Sequence, residues 1–231
     1  MPVAPPADAP QAEPEQSGIL ELGERAPGGL SLVVLRNPET GDRVMMTMRW
    51  GLLETEDDSK PVLYVRAETI ANRGPLREAL RRRRCIVPMD SYVQQAGPEG
   101  AAGRYVISLA DGAQIAVAAI WQDAGGEPHF AIVTCRANEA VAVIHDRMPV
   151  ILPPDAFDRW LGLEPDPRDM LKPFPAELMT MWPVSTRVNT PKNDDEDLLR
   201  PVRLPDEAEG NDTNIASANE PGADHRPVNS A

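Results

Sequence analysis

The sequence lacks the features that mark several large classes of protein. No stretch approaches the ~20 consecutive apolar residues that a membrane-spanning helix needs, so no membrane association is predicted. Its two cysteines, Cys85 and Cys135, each lie in an apolar run outside any CxxC or Cys/His pattern, which argues against a disulfide framework and a zinc site. The sequence contains neither the dinucleotide-binding motif GxGxxG nor the P-loop motif GxxxxGK(S/T), which argues against the usual nucleotide-binding folds. The sequence therefore predicts no cofactor and no metal.

The N-terminal residues also lack the pattern of a secretory signal. They contain proline, alanine and acidic residues (MPVAPPADAPQAEPEQ), with neither a basic start nor an apolar stretch. Together with the sparse cysteines, this pattern predicts a cytoplasmic protein. Association with the nucleoid is compatible with that location.

Basic residues are outnumbered, 23 against 36 acidic residues, and the formal net charge is −13. Residues 1–24 and 205–231 carry −5 each, leaving −3 for residues 25–204. Both end segments are rich in proline, alanine and acid, so we expect disordered tails that are available to protein partners. We expect 25–204 to be a single domain. Seven arginines fall between positions 66 and 84, so one face of this domain can be basic.

Short apolar runs separated by turn residues predict strands at 30–35, 43–48, 104–109, 114–121 and 129–135. Turn residues at 37–42 and 110–112 predict hairpins joining the first two strands and the next two. Helices are predicted at 75–83, 137–143 and 154–161. Because no βαβ rhythm is present, this order predicts an α+β fold with curved, mostly antiparallel sheets.

Five segments combine apolar residues with polar residues at fixed places: MRWGL (48–52), RAET (66–69), RRCIVP (83–88), IHDRMPVIL (144–152) and PVSTRVN (183–189). In these segments, over about residues 25–203, the chain resembles the SOS-response-associated peptidase (SRAP) family of abasic-site processing proteins. The resemblance implies an open barrel-like core with a few short flanking helices. It also implies a protein that binds single-stranded DNA in a positive cleft and captures the aldehyde of an abasic site.

The resemblance further implies a reaction centre, from which this sequence departs. The family's nucleophile is a cysteine directly after the initiator methionine, and its amine and thiol close a thiazolidine on the sugar. An asparagine, a glutamate and a histidine assist it. Here Pro2 occupies the cysteine position, Tyr64 the asparagine position and Gln94 the glutamate position, and only His145 matches. We therefore expect the covalent step to be absent, with His145 either vestigial or holding its loop by hydrogen bonds.

The positions that the resemblance assigns to DNA binding are better preserved. They are Trp50 for base stacking, Arg66 and Arg147 for phosphates, and Thr134 and Cys135 at the family's pair of pocket threonines. Structural interpretations compete with three of these roles: a core aromatic for Trp50, a local ion pair for Arg147 and a small buried residue for Cys135.

The sequence thus predicts a DNA-damage-response protein that binds single-stranded or abasic DNA without stable crosslinking. One alternative is an active abasic-site crosslinking or autopeptidase enzyme, with either a misassigned start or a site rebuilt around Cys135 and His145. Another is a protein-interaction scaffold without affinity for nucleic acid, which the acidic balance permits. Covalent adducts would favour the enzyme, and a lack of DNA binding at low salt would favour the scaffold.

Overall fold

The computed structural model describes residues 28–53, 61–72, 74–96, 103–163, 166–185, 187 and 197–202. The predicted tails, 1–24 and 205–231, lie outside the described residues. The strands are β1 (Leu30–Arg36), β2 (Arg43–Trp50), β3 (Tyr64–Arg66), β4 (Arg84–Met89), β5 (Ser91–Gln95), β6 (Arg104–Leu109), β7 (Ile115–Ala124), β8 (Glu127–Arg136), β9 (Arg147–Pro149) and β10 (Met179–Val184). The α-helices are α1 (Gly74–Arg82) and α2 (Phe157–Leu161), and none in the described part could cross a membrane.

Seven strands form a curved sheet that returns on itself. Strands β2, β1, β4, β7 and β8 are successive antiparallel neighbours, and β2 then pairs in parallel with β8, with Trp50 opposite Phe130. The hydrogen bonds therefore run round a ring, although the barrel is not fully closed. Strands β3 and β9 extend this sheet by pairing with β8. The predicted α+β fold with curved, mostly antiparallel sheets, an open barrel-like core and a few short helices is confirmed.

Glycine is required where the ring closes. Gly51 follows β2 with a φ of +128°, and a Cβ there would lie 2.6 Å from the Cβ of Pro61. Its N–H donates to the carbonyl of Phe130 at 2.8 Å, and its own carbonyl accepts from Nδ1 of His129 at 2.8 Å. Both the N–H and the carbonyl of Gly51 therefore bond to residues of β8, which fixes the end of β2 beside that strand.

The core is one cluster of buried apolar residues that the larger sheet shares with both helices and with the smaller sheet. Strands β7 and β8 are buried on both faces over most of their length, as their continuous apolar sequences predict. Tyr92 of β5 and Ile107 of β6 belong to the same cluster of buried apolar residues. The two sheets are therefore packed together through one hydrophobic core.

The smaller sheet corrects one of the two predicted hairpins. The hairpin at 37–42 is confirmed, since β1 and β2 pair from Arg36 opposite Arg43 onward. The hairpin at 110–112 is wrong: Gly112 closes a turn onto Leu109, but β6 pairs with β5 and β10, while β7 pairs with β4 and β8. A turn reverses the direction of the chain but does not determine which strand pairs with the next one. Because β7 is apolar on both faces, it lies in the interior of the larger sheet, between β4 and β8.

The predicted helices are only partly confirmed. The prediction at 75–83 corresponds to α1, and 154–161 corresponds to a 3₁₀ turn (Pro154–Ala156) followed by α2. The prediction at 137–143 is wrong except for the 3₁₀ turn Val141–Val143. There Asn138 accepts the Val141 N–H at 2.9 Å and donates to the carbonyl of Phe174 at 2.7 Å, so its side chain fixes a local turn in place of a longer helix.

The arginine run at 81–84 does not form a single exposed basic face. Arg84 is 5% exposed, and its guanidinium donates to the carbonyls of Leu80 at 2.6 Å, Arg81 at 3.0 Å, Trp160 and Gly162. These carbonyls lie at the C-terminal ends of α1 and α2, where a cation is favoured. Arg84 therefore joins the two helices to β4.

We expect Arg84→Met to lower the free energy of unfolding by about 3 kcal/mol, because it leaves several buried carbonyls without a donor. Arg77→Met, at an exposed position of the same helix, is the matched control and should have little effect. Urea unfolding followed by circular dichroism measures both. Equal stability of the two variants would contradict a structural role for Arg84.

Candidate nucleic-acid interface

A cavity of about 550 Å³ is lined by strands of both sheets. Seven of the eight residues predicted for the site line it: Trp50, Tyr64, Arg66, Gln94, Thr134, His145 and Arg147. The eighth, Cys135, is not among its lining residues. The sequence segments that carry these side chains are therefore assembled at one place by the fold.

Pairing along both edges of β8 explains how this assembly arises. Thr134 lies opposite Arg66 of β3 on one edge and opposite Pro149 of β9 on the other. The RAET and IHDRMPVIL segments, which are far apart in sequence, therefore flank the same residue. Both flanking strands have only three residues, so their positions depend on β8.

An ion pair then links those two segments directly. Arg147 donates to Oε1 of Glu68 at 2.9 Å, and also to the backbone carbonyl of Thr134 at 2.7 Å and its Oγ1 at 3.1 Å. The hydrogen bond from Arg147 lowers the pKa of Glu68. The partner of Arg147 thus comes from a distant segment and not from its exposed neighbour Asp146, which lies 3.5 Å from Nδ1 of His145.

His145 is held by the backbone of its own loop. Its Nδ1 lies 3.0 Å from the amide nitrogen of Arg147. The same Nδ1 lies 3.1 Å from the carbonyl oxygen of Arg147, so it can accept from the amide N–H or donate to the carbonyl, and either tautomer holds the ring against the loop. The contact supports the loop-holding interpretation of His145.

Three aromatic residues line the cavity, of which Trp50 and Tyr92 are buried and Tyr64 is exposed. Trp50 is only 5% exposed, and its indole N–H donates to the carbonyl of Leu63 at 3.1 Å. Tyr64, which is 52% exposed, meets Trp50 edge to face with ring centroids 5.6 Å apart. The exposed aromatic surface at the cavity therefore belongs to Tyr64, although the sequence prediction assigned stacking to Trp50.

Both cysteines are buried and neither is activated. Cys135 is 3% exposed, and burial raises its pKa to about 11. Cys85 is fully buried, which also raises its pKa. Side chains alternate between the two faces of a strand, so Thr134 lines the cavity whereas Cys135 packs in the core.

The positive charge of the cavity comes from three arginines. Arg147 is compensated by Glu68, whereas the guanidinium groups of Arg66 and Arg104 have no hydrogen-bond or ion-pair partner within the part of the chain that the structure describes. No carboxylate side chain is among the lining residues. The sequence prediction missed Arg104, because a single arginine at the start of a strand carries no signal until the pairing of β5 with β6 is known.

The family of proteins described as SOS response associated peptidase (SRAP) matches residues 12–191. The chain belongs to the SRAP family. Among similar proteins, abasic site processing protein YoaM of Bacillus subtilis is 34% identical over 166 residues, which cover 66% of this chain and 73% of YoaM. Abasic site processing protein HMCES of Gallus gallus is 31% identical over 229 residues, covering 83% of this chain and 65% of HMCES.

Two solved structures share this fold. A protein from Bacteroides thetaiotaomicron superposes with a TM-score of 0.63 at 22% identity, covering 76% of this chain and 82% of that one. A protein from Bordetella bronchiseptica gives a TM-score of 0.61 at 27% identity, covering 70% and 86% respectively. Both similarities concern the fold alone.

We expect both cysteines to resist alkylation in the folded protein. With a pKa of about 11, only about one Cys135 side chain in a thousand is a thiolate at pH 8, and burial blocks access to it. Mass spectrometry after iodoacetamide treatment should show no adduct in native buffer and two adducts in denaturant. Rapid native modification of Cys135 would instead support a site rebuilt around this thiol.

Proposed function

We propose that this protein binds single-stranded DNA in the cavity between its two sheets, prefers an abasic site, and does so without a stable covalent bond. The observation that carries the proposal is the assembly of seven predicted site residues around one cavity with uncompensated positive charge. Relatives named abasic site processing proteins support DNA with an abasic site as the ligand.

The described side chains are suited to a nucleotide strand. The guanidinium of Arg66, which has no partner among the described residues, can contact a phosphate through two parallel hydrogen bonds. The exposed ring of Tyr64 offers a face on which a base can stack. An abasic nucleotide has no base, so its sugar oxygens can approach the imidazole of His145 and the amide of Gln94.

The same residues supply little for covalent chemistry. Neither cysteine of the sequence offers an accessible thiolate, because both are buried with raised pKa values. Gln94 carries an amide where the family resemblance implies a glutamate, and an amide does not transfer protons at neutral pH. His145 uses Nδ1 to hold its loop. These three features support binding without crosslinking.

The proposal includes a cellular role. A protein that covers exposed or damaged single strands acts in the DNA-damage response, in the cytoplasm and at the nucleoid. The acidic segments 1–24 and 205–231 would then serve as contacts for protein partners, an assignment supported by their charge of −5 each.

A short single-stranded oligonucleotide with or without one abasic site tests the function. We expect a mobility shift in native gels that weakens as salt rises, is stronger with the abasic site, and disappears in denaturing gels. A band that survives denaturation would overturn the non-covalent proposal in favour of a crosslinking enzyme. Failure to bind at low salt would favour the protein-interaction scaffold.

Arg66→Ala should weaken binding and reduce the slope of log Kd against log salt by about 0.7, the contribution of one phosphate contact in a single strand. Arg77→Ala removes an exposed arginine of α1 that does not line the cavity, and it serves as the matched control. Fluorescence anisotropy at several salt concentrations measures both slopes. Identical slopes for the two variants would refute the phosphate role of Arg66.

A further inference from the structure

We infer that Arg104 is a second phosphate-binding residue, and that the nucleotide strand crosses the cavity from Arg66 on the larger sheet to Arg104 on the smaller sheet. The two arginines would then hold phosphates on opposite sides of the nucleotide at the centre of the cavity. This inference rests on the proposed function and adds to it the path of the strand.

The backbone holds Arg104 firmly at the cavity. It is the first residue of β6 and lies opposite Gln95 of β5 on one edge and Val184 of β10 on the other. Its half-buried side chain lines the cavity together with Gln94 and Gln95 from the neighbouring strand. Arg104 is therefore part of a wall that is built by the smaller sheet.

Arg66 lies on the wall that the larger sheet supplies. In the pairing of β3 with β8, Arg66 lies opposite Thr134, and the side chain of Thr134 accepts a hydrogen bond from Arg147. The cavity thus has Arg66 and Arg147 on one sheet and Arg104 on the other. A ligand that neutralises both unpaired arginines has to span the cavity, as a strand with a phosphate at each linkage can.

The charge balance points to an anionic ligand at Arg104. Several arginines elsewhere in the described residues pair with carboxylates: Arg43 with Asp158, Arg49 with Glu127, Arg159 with Asp169 and Arg168 with Asp166. Arg104 has no such partner in the described part of this acidic chain. A guanidinium that lines a cavity without a protein partner among the described residues keeps its donors available, and a phosphate oxygen can accept from them.

Arg104 also supplies a large share of the positive charge that would attract a nucleotide strand to the cavity. Because Glu68 neutralises Arg147, the uncompensated charge of the lining arginines comes from Arg66 and Arg104 alone. Removing either one halves that charge. Their effects on the salt dependence of binding should therefore be similar in size and additive, since they contact different phosphates.

The test compares Arg104→Ala and Arg66→Ala with oligonucleotides that extend from an abasic site only in the 5′ direction or only in the 3′ direction. We expect Arg104→Ala to lower the salt slope by about 0.7 and to weaken binding of one of the two oligonucleotides. Arg66→Ala should weaken binding of the other one. The double variant should lose about 1.4 from the slope with an oligonucleotide extended on both sides.

Arg104→Lys keeps the positive charge, so its salt slope should equal that of the unaltered protein. This control distinguishes the loss of charge in Arg104→Ala from a folding defect. An unchanged slope in Arg104→Ala, or sensitivity of both alanine variants to the same oligonucleotide, would overturn the inference while leaving the proposed function intact. A lack of DNA binding by the unaltered protein would overturn both.

Discussion

The site depends on the hydrogen bonds along both edges of β8. This strand is buried over most of its length, and near its end Thr134 pairs with β3 on one edge and β9 on the other. Because side chains alternate along a strand, a slip of one residue would turn Arg66 and Arg147 away from the cavity. The buried core keeps β8 in register, and the ion pair between Arg147 and Glu68 then fastens the two short strands to each other.

The arginines of this chain have different roles, which depend on the groups that surround each side chain. Arg84 is enclosed by backbone carbonyls and holds helices together, and Arg147 is held by Glu68 and Thr134. Arg66 and Arg104 line the same cavity without partners among the described residues. An acidic protein can therefore present a positive cavity, because local placement and pairing, not the net charge of −13, decide the field that a ligand meets.

Binding and covalent chemistry make separate demands on such a site. Binding needs fixed cations, an exposed ring and hydrogen-bond donors, which tolerate the exchange of a titratable group for a neutral one. Covalent chemistry needs an accessible nucleophile and a group that moves protons. Gln94 and the two buried thiols fit the proposed binding role, which needs neither a titratable group at position 94 nor an accessible thiolate.

The sequence alone determined the family, the strands β1, β2, β6, β7 and β8, the helix α1 and seven residues that line the cavity, because ordered motifs and apolar periodicity are local properties of the chain. Strands β4, β5 and β10 were not predicted. The tertiary structure decided which sheet β6 joins, where the three-residue strands β3 and β9 lie, and that Tyr64 is exposed while Trp50 is buried. It also brought Arg104 to the cavity. These outcomes depend on pairing and burial between residues distant in sequence, and no local pattern records which distant strand will cover a side chain.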